Sequence, residues 1–259
     1  MSLRWPAHLW IVRHGESAGN VARDAANAAG HFVIEIAERD VDVPLSALGE
    51  EQSVALGRWF AALPDDERPT TVLVSPYLRA RQTAALIREA GGLHPDAREI
   101  VDERLREKEF GILDRLTRLG IEQRHPEQAE ARARVGKFYH RPPGGESWCD
   151  VILRLRSVLD TISLHHAQRD ARLLIVAHQV IVLCLRYLIE GLTEDEILAI
   201  DREGDVANCG VTEYRRVSAD DNGGGGDGRL ALVTYNFVAP LEAAGAPVTA
   251  TADTPAGSR

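Results

Sequence analysis

Cysteine is scarce in this chain, and its three residues, Cys149, Cys184 and Cys209, are odd in number and far apart. No Cys-x-x-Cys pair occurs, so neither a disulfide framework nor a structural zinc site is indicated. Buried free thiols are typical of proteins kept in a reducing compartment. The sequence therefore predicts three free thiols and a cytoplasmic location.

Long apolar runs and an excess of positive charge are also missing. No stretch of about 18 apolar residues is present, so no transmembrane helix is predicted. The N-terminus lacks the basic and apolar segments of a signal peptide. The formal net charge of -9 argues against nucleic acid or an anionic membrane as a partner. A small cationic pocket stays compatible with this charge, because a concave site concentrates the local field.

Apolar β-rich runs alternate with helical patterns along most of the chain. Continuous apolar runs at 9–12, 71–74 and 173–177 predict central strands that are covered on both faces. This alternation predicts an α/β fold, a three-layer α/β/α sandwich with a mostly parallel central sheet and helices on both faces. The predicted helices cover 46–62 (with Ser46 as N-cap), 76–90, 148–165 and 180–189.

Two segments depart from this alternation and are interpreted as insertions in a single domain over residues 1–240. Residues 21–44 are Ala-rich and then mixed in composition. Residues 104–145 carry many charges of both signs and end in Pro-Pro-Gly-Gly. We expect the second insertion to pass over the functional site.

The last part of the chain is predicted to form a β-hairpin and a tail. Residues 206–215 and 229–238 alternate enough to be two strands, and the Gly-rich residues 218–228 form a flexible connection between them. Residues 241–259 are mainly Ala, Gly, Pro and Thr and are predicted to be disordered.

The first predicted strand stops abruptly at Arg13-His14-Gly15 and passes into a helix. A neutral ring nitrogen beside a guanidinium, at a helix N-terminus, can attack phosphorus while positive charge accommodates the phosphoryl oxygens. The guanidinium of Arg13 offers several hydrogen-bond donors in one plane, and the side-chain amide of Asn20 can point into the same site. The segment predicts a site that receives a phosphoryl group, with an ordinary core or surface histidine as the alternative.

Two further segments begin at the ends of buried strands. His178 follows the strand at 173–177, and Ser75 follows the strand at 71–74. Because the carboxyl ends of parallel strands meet at one crevice, His14 and His178 are expected to face each other. Arg79 lies in the first turn of a helix, where a basic residue opposes the helix dipole and an anionic ligand would offset that conflict.

An acid is also needed, because the alkoxide released from a phosphate ester is a poor leaving group unless it is protonated. Glu103, Glu107 and Glu109 are the candidates. The spacing of these residues does not distinguish them from one another or from solvated charges.

Together, these segments resemble the histidine phosphatase superfamily, which includes cofactor-dependent phosphoglycerate mutases, acid phosphatases and fructose-2,6-bisphosphatase. The resemblance covers about residues 8 to 215. The matching segments are Arg13 to Ser17 with Asn20, Leu45 to Gly49 with Gln52, Ser75 to Thr83, Leu105 to Glu107 with Phe110-Gly111, Ala177-His178, and Asn208 with Gly210 to Thr212.

The resemblance implies roles for these residues. His14 becomes phosphorylated, and Glu107, which the family motif selects over its neighbours, donates a proton to the leaving group. The phosphoryl oxygens are bound by Arg13, Arg79 and His178, with Asn20 at the same site. Neither a metal ion nor an organic cofactor is implied.

The length of the second insertion favours hydrolysis of small phosphorylated metabolites. Mutases of this family carry a long insertion before a Gly-Glu-Ser motif, and here only about forty residues separate Glu107 from that motif. The closest branch resembles fructose-2,6-bisphosphatase. The branch has a lysine where this chain has Gly144 and an arginine where it has Leu183, so fructose 2,6-bisphosphate is not the expected substrate.

Three other side chains, Lys137, Tyr139 and Arg141, are candidates for replacing those two missing cations, or are merely solvated loop residues. Phosphoryl transfer of the phosphoglycerate mutase type is the alternative activity. A non-catalytic phosphate-binding protein is a further alternative, although such a protein need not retain both His14 and Glu107. The sequence leaves a homo-oligomer open.

Overall fold

The computed structural model describes residues 4–168, 170–217 and 228–250. One six-stranded sheet lies at the centre of these residues. Its strands are β1 (His8–Arg13), β2 (Thr71–Val74), β3 (Arg98–Val101), β4 (Arg172–Ala177), β5 (Val211–Val217) and β6 (Arg229–Phe237).

The sheet is mixed but mostly parallel, with the strand order β3-β2-β4-β1-β5-β6. β3, β2, β4 and β1 pair in parallel. β5 pairs antiparallel with both β1 and β6, so the last two strands form the predicted hairpin. The parallel strands at the centre are those that the continuous apolar runs predict.

Helices cover both faces of the sheet, which confirms the predicted α/β fold class. The helices of the described residues are α1 (Ala18–Ala28), α2 (Ala47–Ala61), α3 (Leu78–Glu89), α4 (Arg118–Arg124), α5 (Pro126–Val135), α6 (Trp148–His165), α7 (Gln179–Glu190), α8 (Glu194–Glu203) and α9 (Ala239–Ala244). None of them is both long enough and apolar enough to span a bilayer.

Alternate side chains of β1 belong to two separate cores. Leu9 and Ile11 pack with the apolar faces of α6 and α7 on one side of the sheet. Trp10 and Val12 pack with α2 and α3 on the other side. Because successive strand residues point to opposite faces, a strand covered on both faces must be apolar at every position, as β1 is.

The two predicted insertions contact each other. The backbone N–H of Ile34 donates to the carbonyl of Arg115, and the N–H of Thr117 donates to the carbonyl of Phe32. Arg115 also reaches back and donates to the carbonyls of Ile36 and Glu38. Residues 21–44 and 104–145 therefore form a joined wall beside the carboxyl ends of the parallel strands.

The end of the chain differs from the predicted disorder as far as residue 250. Leu241 is fully buried, and the backbone N–H of Asn208 donates to the carbonyl of Thr249 over 2.8 Å. One buried leucine and a few backbone hydrogen bonds are enough to fix a segment whose composition is otherwise typical of disorder. The remainder of the predicted tail, 251–259, and residues 218–227 of the Gly-rich connection lie outside the described residues.

The cysteines are free, as predicted. Cys184 and Cys209 are fully buried, and Cys149 is half-buried. Burial raises the pKa of Cys209 to about 12, so its thiol stays protonated at neutral pH.

Residues 247–249 brace the loop that follows β1. Gln52 Nε2 donates to the carbonyl of Pro247 and to Thr249 Oγ1. The opposite end of the Gln52 amide accepts from the N–H of Glu16, and Asn208 Nδ2 donates to the carbonyl of His14. Two side chains thus connect the end of the described chain to the residues around His14.

We predict that removing residues 247–259 lowers the melting temperature by about 5 °C or more, since each lost hydrogen bond contributes about 1 kcal/mol. A chain shortened only after Ala250 keeps these bonds and is the matched control. Calorimetric unfolding of both chains checks the prediction, and equal melting temperatures would contradict it.

Candidate active site

Three neighbouring parallel strands end at the same edge of the sheet and are followed by polar residues. His14 follows β1, His178 follows β4, and Ser75 follows β2. The backbone N–H of His14 donates to the carbonyl of Ala177 over 2.9 Å, which fixes the first two strand ends side by side. The rings of His14 and His178 lie with their centroids 5.1 Å apart, so the two histidines do face each other.

His14 is fully buried and has a defined tautomer. Its Nδ1 lies 2.6 Å from the carbonyl oxygen of Gly15, and because a carbonyl only accepts, the proton is on Nδ1. Nε2 accepts a hydrogen bond of 3.1 Å from Nε of Arg79. The ring is therefore neutral, with a lone pair on Nε2 directed toward a guanidinium.

His178 is also fully buried, and its Nε2 lies 2.7 Å from Ser75 Oγ. The ring of Tyr77 packs edge-on against it with a centroid separation of 5.0 Å. Burial, followed by the negative charges of Asp40 and Glu109, raises the pKa of Tyr77, so its hydroxyl stays neutral. His178 is thus held by a hydroxyl on one side and an aromatic ring on another.

Arg79 is buried in the first turn of α3 and contacts an acid from the first insertion. Its Nη1 donates to the carbonyl oxygen of Asp40 over 2.7 Å and to Asp40 Oδ1 over 3.0 Å. The side chain of Asp40 is 39% exposed, whereas that of Arg79 is only 4% exposed. An anion bound to this face of Arg79 would therefore compete with a carboxylate that solvent can reach.

Arg13 and Asn20 complete the predicted set around His14. Arg13 is fully buried, and its Nη1 donates to the carbonyl of Val206. Asn20 forms a capping box at the start of α1, where its Oδ1 accepts from both the N–H and the hydroxyl of Ser17. Asn20 and Arg79 line the same cavity, so the cap lies at the edge of the site.

Two glycines hold the loop after β1 against the start of α2. A Cβ on Gly15 would lie 2.4 Å from the carbonyl oxygen of Gly49, and a Cβ on Gly49 would lie 1.9 Å from that of Glu16. Any side chain at either position would push the loop away. Glu16 adds a further attachment, because its Oε1 accepts from the hydroxyl of Ser46, the N-cap of α2.

Burial separates the three carboxylates that spacing leaves equivalent. Glu107 is fully buried, whereas Glu103 and Glu109 are exposed. Oε1 of Glu107 accepts the N–H of Lys108 over 2.7 Å, and its backbone carbonyl accepts from Arg154. In its carboxylate form, Glu107 also raises the pKa of Cys184, after the larger effect of burial. Glu107 is thus held on the wall formed by the second insertion.

Two contacts at this site were not predicted from the sequence. One is the hydrogen bond between Ser75 and His178. Ser75 directly follows a buried strand, and this position in the sequence could have indicated that it lies near His178. Asp40 contacts Arg79 from an insertion, where no periodicity or motif indicates the partner of a charged residue.

Known proteins resemble this chain in sequence over most of its length. A family profile described as the histidine phosphatase superfamily (branch 1) matches residues 9–220. A 6-phosphofructo-2-kinase/fructose-2,6-bisphosphatase of Caenorhabditis elegans is 33% identical over 181 residues, covering 70% of this chain and 33% of that protein. A probable phosphoglycerate mutase GpmB of Yersinia enterocolitica is 30% identical over 186 residues, covering 71% of this chain and 75% of that protein.

The chain spans less than half the length of some relatives that it matches. It covers 33% of the nematode protein and 40% of another relative, a probable fructose-2,6-bisphosphatase of Schizosaccharomyces pombe.

Solved structures are similar over most of the fold. The native mycobacterial glucosyl-3-phosphoglycerate phosphatase superposes with a TM-score of 0.65 at 25% identity, covering 91% of this chain and 99% of that one.

The contact between Asp40 and Arg79 generates a prediction about anion affinity. Replacing Asp40 with Asn removes a negative charge that would repel an anion approaching Arg79, and we expect the Kd for inorganic phosphate to fall about threefold to tenfold. Asp42→Asn is the matched control, because Asp42 pairs with Arg39 at the surface. Titration calorimetry measures both variants. A weaker affinity in Asp40→Asn would instead mean that the carboxylate orients Arg79 for the anion.

Proposed function

Because this chain belongs to the histidine phosphatase superfamily, we propose that it hydrolyses phosphate monoesters of small metabolites through a phosphohistidine at His14. The observation that carries the proposal is the state of that ring. Nδ1 is protonated and donates to Gly15, while the Nε2 lone pair faces the guanidinium of Arg79. A nucleophile and a cation for the phosphoryl oxygens are thus already paired.

Binding precedes the chemistry. The phosphoryl group enters between His14 and His178, whose rings are 5.1 Å apart, and its oxygens take hydrogen bonds from Arg79, Arg13 and His178. Asn20 stands at the rim of the same site. The phosphoryl oxygens displace the carboxylate of Asp40 from its hydrogen bond with Arg79.

Two displacements at phosphorus follow. His14 Nε2 attacks in line, the bond between phosphorus and the ester oxygen breaks, and Glu107 in its acid form protonates that oxygen as the alcohol leaves. Glu107 is then a carboxylate and takes a proton from the water that attacks phosphohistidine. The P–N bond breaks, inorganic phosphate leaves, and both His14 and Glu107 return to their starting states.

Hydrolysis and mutase activity use the same residues and differ in the acceptor of the phosphoryl group. The short second insertion supports water as the acceptor, because it leaves less covering over the site than a mutase needs to exclude water. Relatives of both kinds resemble this chain, with names that include fructose-2,6-bisphosphatase and phosphoglycerate mutase. Mutase-type transfer is therefore the second candidate.

We also infer that residues 1–240 act as one domain with insertions at 21–44 and 104–145, since a single sheet carries all the strands of the described residues. The partner is a small phosphorylated metabolite. A cytoplasmic location is supported by the three free thiols, of which two are fully buried.

We predict that His14→Ala lowers phosphate release from p-nitrophenyl phosphate by about a thousandfold or more, since no other group supplies the nucleophile. The wild-type protein quenched during turnover should carry phosphate at His14 that is labile to acid and stable to base. His165→Ala, at an exposed histidine at the end of α6, is the matched control.

If His14→Ala is still phosphorylated and still releases phosphate, His14 is not the nucleophile. The same preparation separates hydrolysis from mutase transfer. Interconversion of 2- and 3-phosphoglycerate with little release of phosphate would show that the activity is that of a mutase and not that of a phosphatase.

The role of Glu107 predicts a dependence on the leaving group. Glu107→Gln should lower kcat/KM about a hundredfold or more for alkyl phosphates, whose alkoxides need a proton, and less than about tenfold for p-nitrophenyl phosphate. Glu103→Gln and Glu109→Gln are the controls, since both carboxylates are exposed. Equal losses for both kinds of ester in Glu107→Gln would contradict the role as acid.

A further inference from the structure

The peptide unit between Gly15 and Glu16 faces the ring of His14 at one end and a buried amide at the other. Its carbonyl oxygen, that of Gly15, lies 2.6 Å from His14 Nδ1 and fixes the proton there. Its N–H, that of Glu16, donates to Oε1 of Gln52 over 2.9 Å. The carbonyl and the N–H of a trans peptide unit lie in one plane and point in opposite directions. A group that holds the N–H therefore also sets the direction of the carbonyl.

Glycine makes this peptide unit easy to rotate. Gly15 has no Cβ, so rotation of the unit that follows it meets less steric resistance than it would after any other residue. If the unit rotates, the Gly15 carbonyl leaves His14 Nδ1, and the proton can move to Nε2, the nitrogen that attacks phosphorus. The hydrogen bond from Glu16 to Gln52 opposes that rotation.

The amide of Gln52 can oppose the rotation in only one of its two orientations. The side chain is fully buried, and Oε1 must face the N–H of Glu16, because the other end of the amide carries only donors. Nε2 donates to the hydroxyl oxygen of Thr249 over 3.0 Å and to the carbonyl of Pro247 over 2.9 Å. Two acceptors from the end of the described chain thus select the orientation of Gln52.

The hydroxyl of Thr249 also orients a second buried amide, that of Asn208. It donates to Oδ1 of Asn208 over 3.0 Å, which leaves Nδ2 to donate to the carbonyl oxygen of His14 over 3.1 Å. The backbone carbonyl of Thr249 accepts from the N–H of Asn208 over 2.8 Å and keeps the hydroxyl in place. One hydroxyl therefore connects the two amides that hold the backbone on both sides of Gly15.

These hydrogen bonds form one series in which every bond runs in the same direction. The series starts at His14 Nδ1 and returns to the carbonyl of His14, passing from donor to acceptor through the Gly15–Glu16 peptide unit, Gln52, Thr249 and Asn208. Hydrogen bonds that share a direction polarise and strengthen one another. The first acceptor of the series, the carbonyl that faces Nδ1, therefore holds the ring proton more tightly than it would alone.

We propose that Thr249 is a positioning residue for the nucleophile. Its hydroxyl fixes the orientation of Gln52 and Asn208, and through them it keeps the Gly15 carbonyl on Nδ1 of His14 and leaves Nε2 unprotonated. The inference rests on the proposed function, because it assigns to the end of the described chain a part in forming phosphohistidine.

Removing the hydroxyl should slow the attack of His14 on phosphorus. Thr249→Val keeps the shape of the side chain and loses the hydroxyl, whereas Thr249→Ser keeps the hydroxyl. We expect Thr249→Val to lower kcat/KM for p-nitrophenyl phosphate about threefold to thirtyfold, with the Kd for inorganic phosphate within about twofold of wild type. Thr249→Ser should retain the wild-type rate. This ester isolates the attack, because its leaving group needs little protonation.

The position of the ring proton is a readout that a loss of stability alone would not change. In protein that carries histidine labelled at both ring nitrogens, nuclear magnetic resonance distinguishes a protonated nitrogen from an unprotonated one. The signals of His14 are those that are absent from His14→Ala. Wild type and Thr249→Ser should show the proton on Nδ1, and Thr249→Val should show a measurable share of it on Nε2.

Val248→Thr is the matched control, because Val248 is an exposed neighbour of Thr249 in the same segment. It should leave kcat/KM within about twofold of wild type and the proton of His14 on Nδ1. A chain that ends at Val248 also lacks the hydroxyl, and a chain that ends at Ala250 retains it. This second pair repeats the comparison if Thr249→Val does not fold.

The two measurements separate failure of this inference from failure of the proposed function. A proton that stays on Nδ1 of His14 in Thr249→Val overturns the inference, whatever the activity. In a protein that hydrolyses phosphate esters, an unchanged rate in Thr249→Val overturns it as well. If the wild type releases no phosphate but its ring proton moves to Nε2 in Thr249→Val, only the proposed function fails.

Discussion

The neutral state of His14 is the condition on which the rest of the site depends, because a protonated imidazole has no lone pair on Nε2 with which to attack phosphorus. The proton is fixed on Nδ1 by the carbonyl of Gly15, and the guanidinium of Arg79 disfavours a second proton on Nε2. Both contacts need the backbone after β1 to stay in one place. The close approach of Gly15 and Gly49, with no room for a Cβ on either, holds it there.

Buried positive charge is the unusual feature of a chain whose net charge is -9. Arg13 and Arg79 are buried at the edge of the sheet, and Lys108 is buried in the second insertion. Desolvating such groups costs free energy that an anion can offset. At Arg79 the protein provides that anion itself in Asp40, from a side chain that solvent reaches. The charge around the site is therefore set by nearby residues and does not follow from the negative net charge of the chain.

The predictable part of this protein is the part whose residues are buried on two faces. β1, β2 and β4 are apolar at every central position, so their identity, their parallel pairing and the meeting of His14 with His178 followed from the sequence. β3 was not predicted, because all four of its residues are exposed at the edge of the sheet. The contact between Ile34 and Arg115 joins backbone atoms of two distant segments, which no side-chain pattern encodes. Spacing could not choose among Glu103, Glu107 and Glu109, since the difference between them is burial.

The residues of the candidate site come from two kinds of segment. His14, Arg13 and His178 come from strand ends, and their positions are fixed by the sheet. Asp40 and Lys108 come from the two insertions, which backbone hydrogen bonds join into one wall. Neither insertion makes the hydrogen bond that fixes the proton of His14 on Nδ1, because its acceptor is the carbonyl of Gly15. The position of His14 thus depends on the sheet and on the loop after β1, whereas the surroundings of Arg79 depend on an insertion.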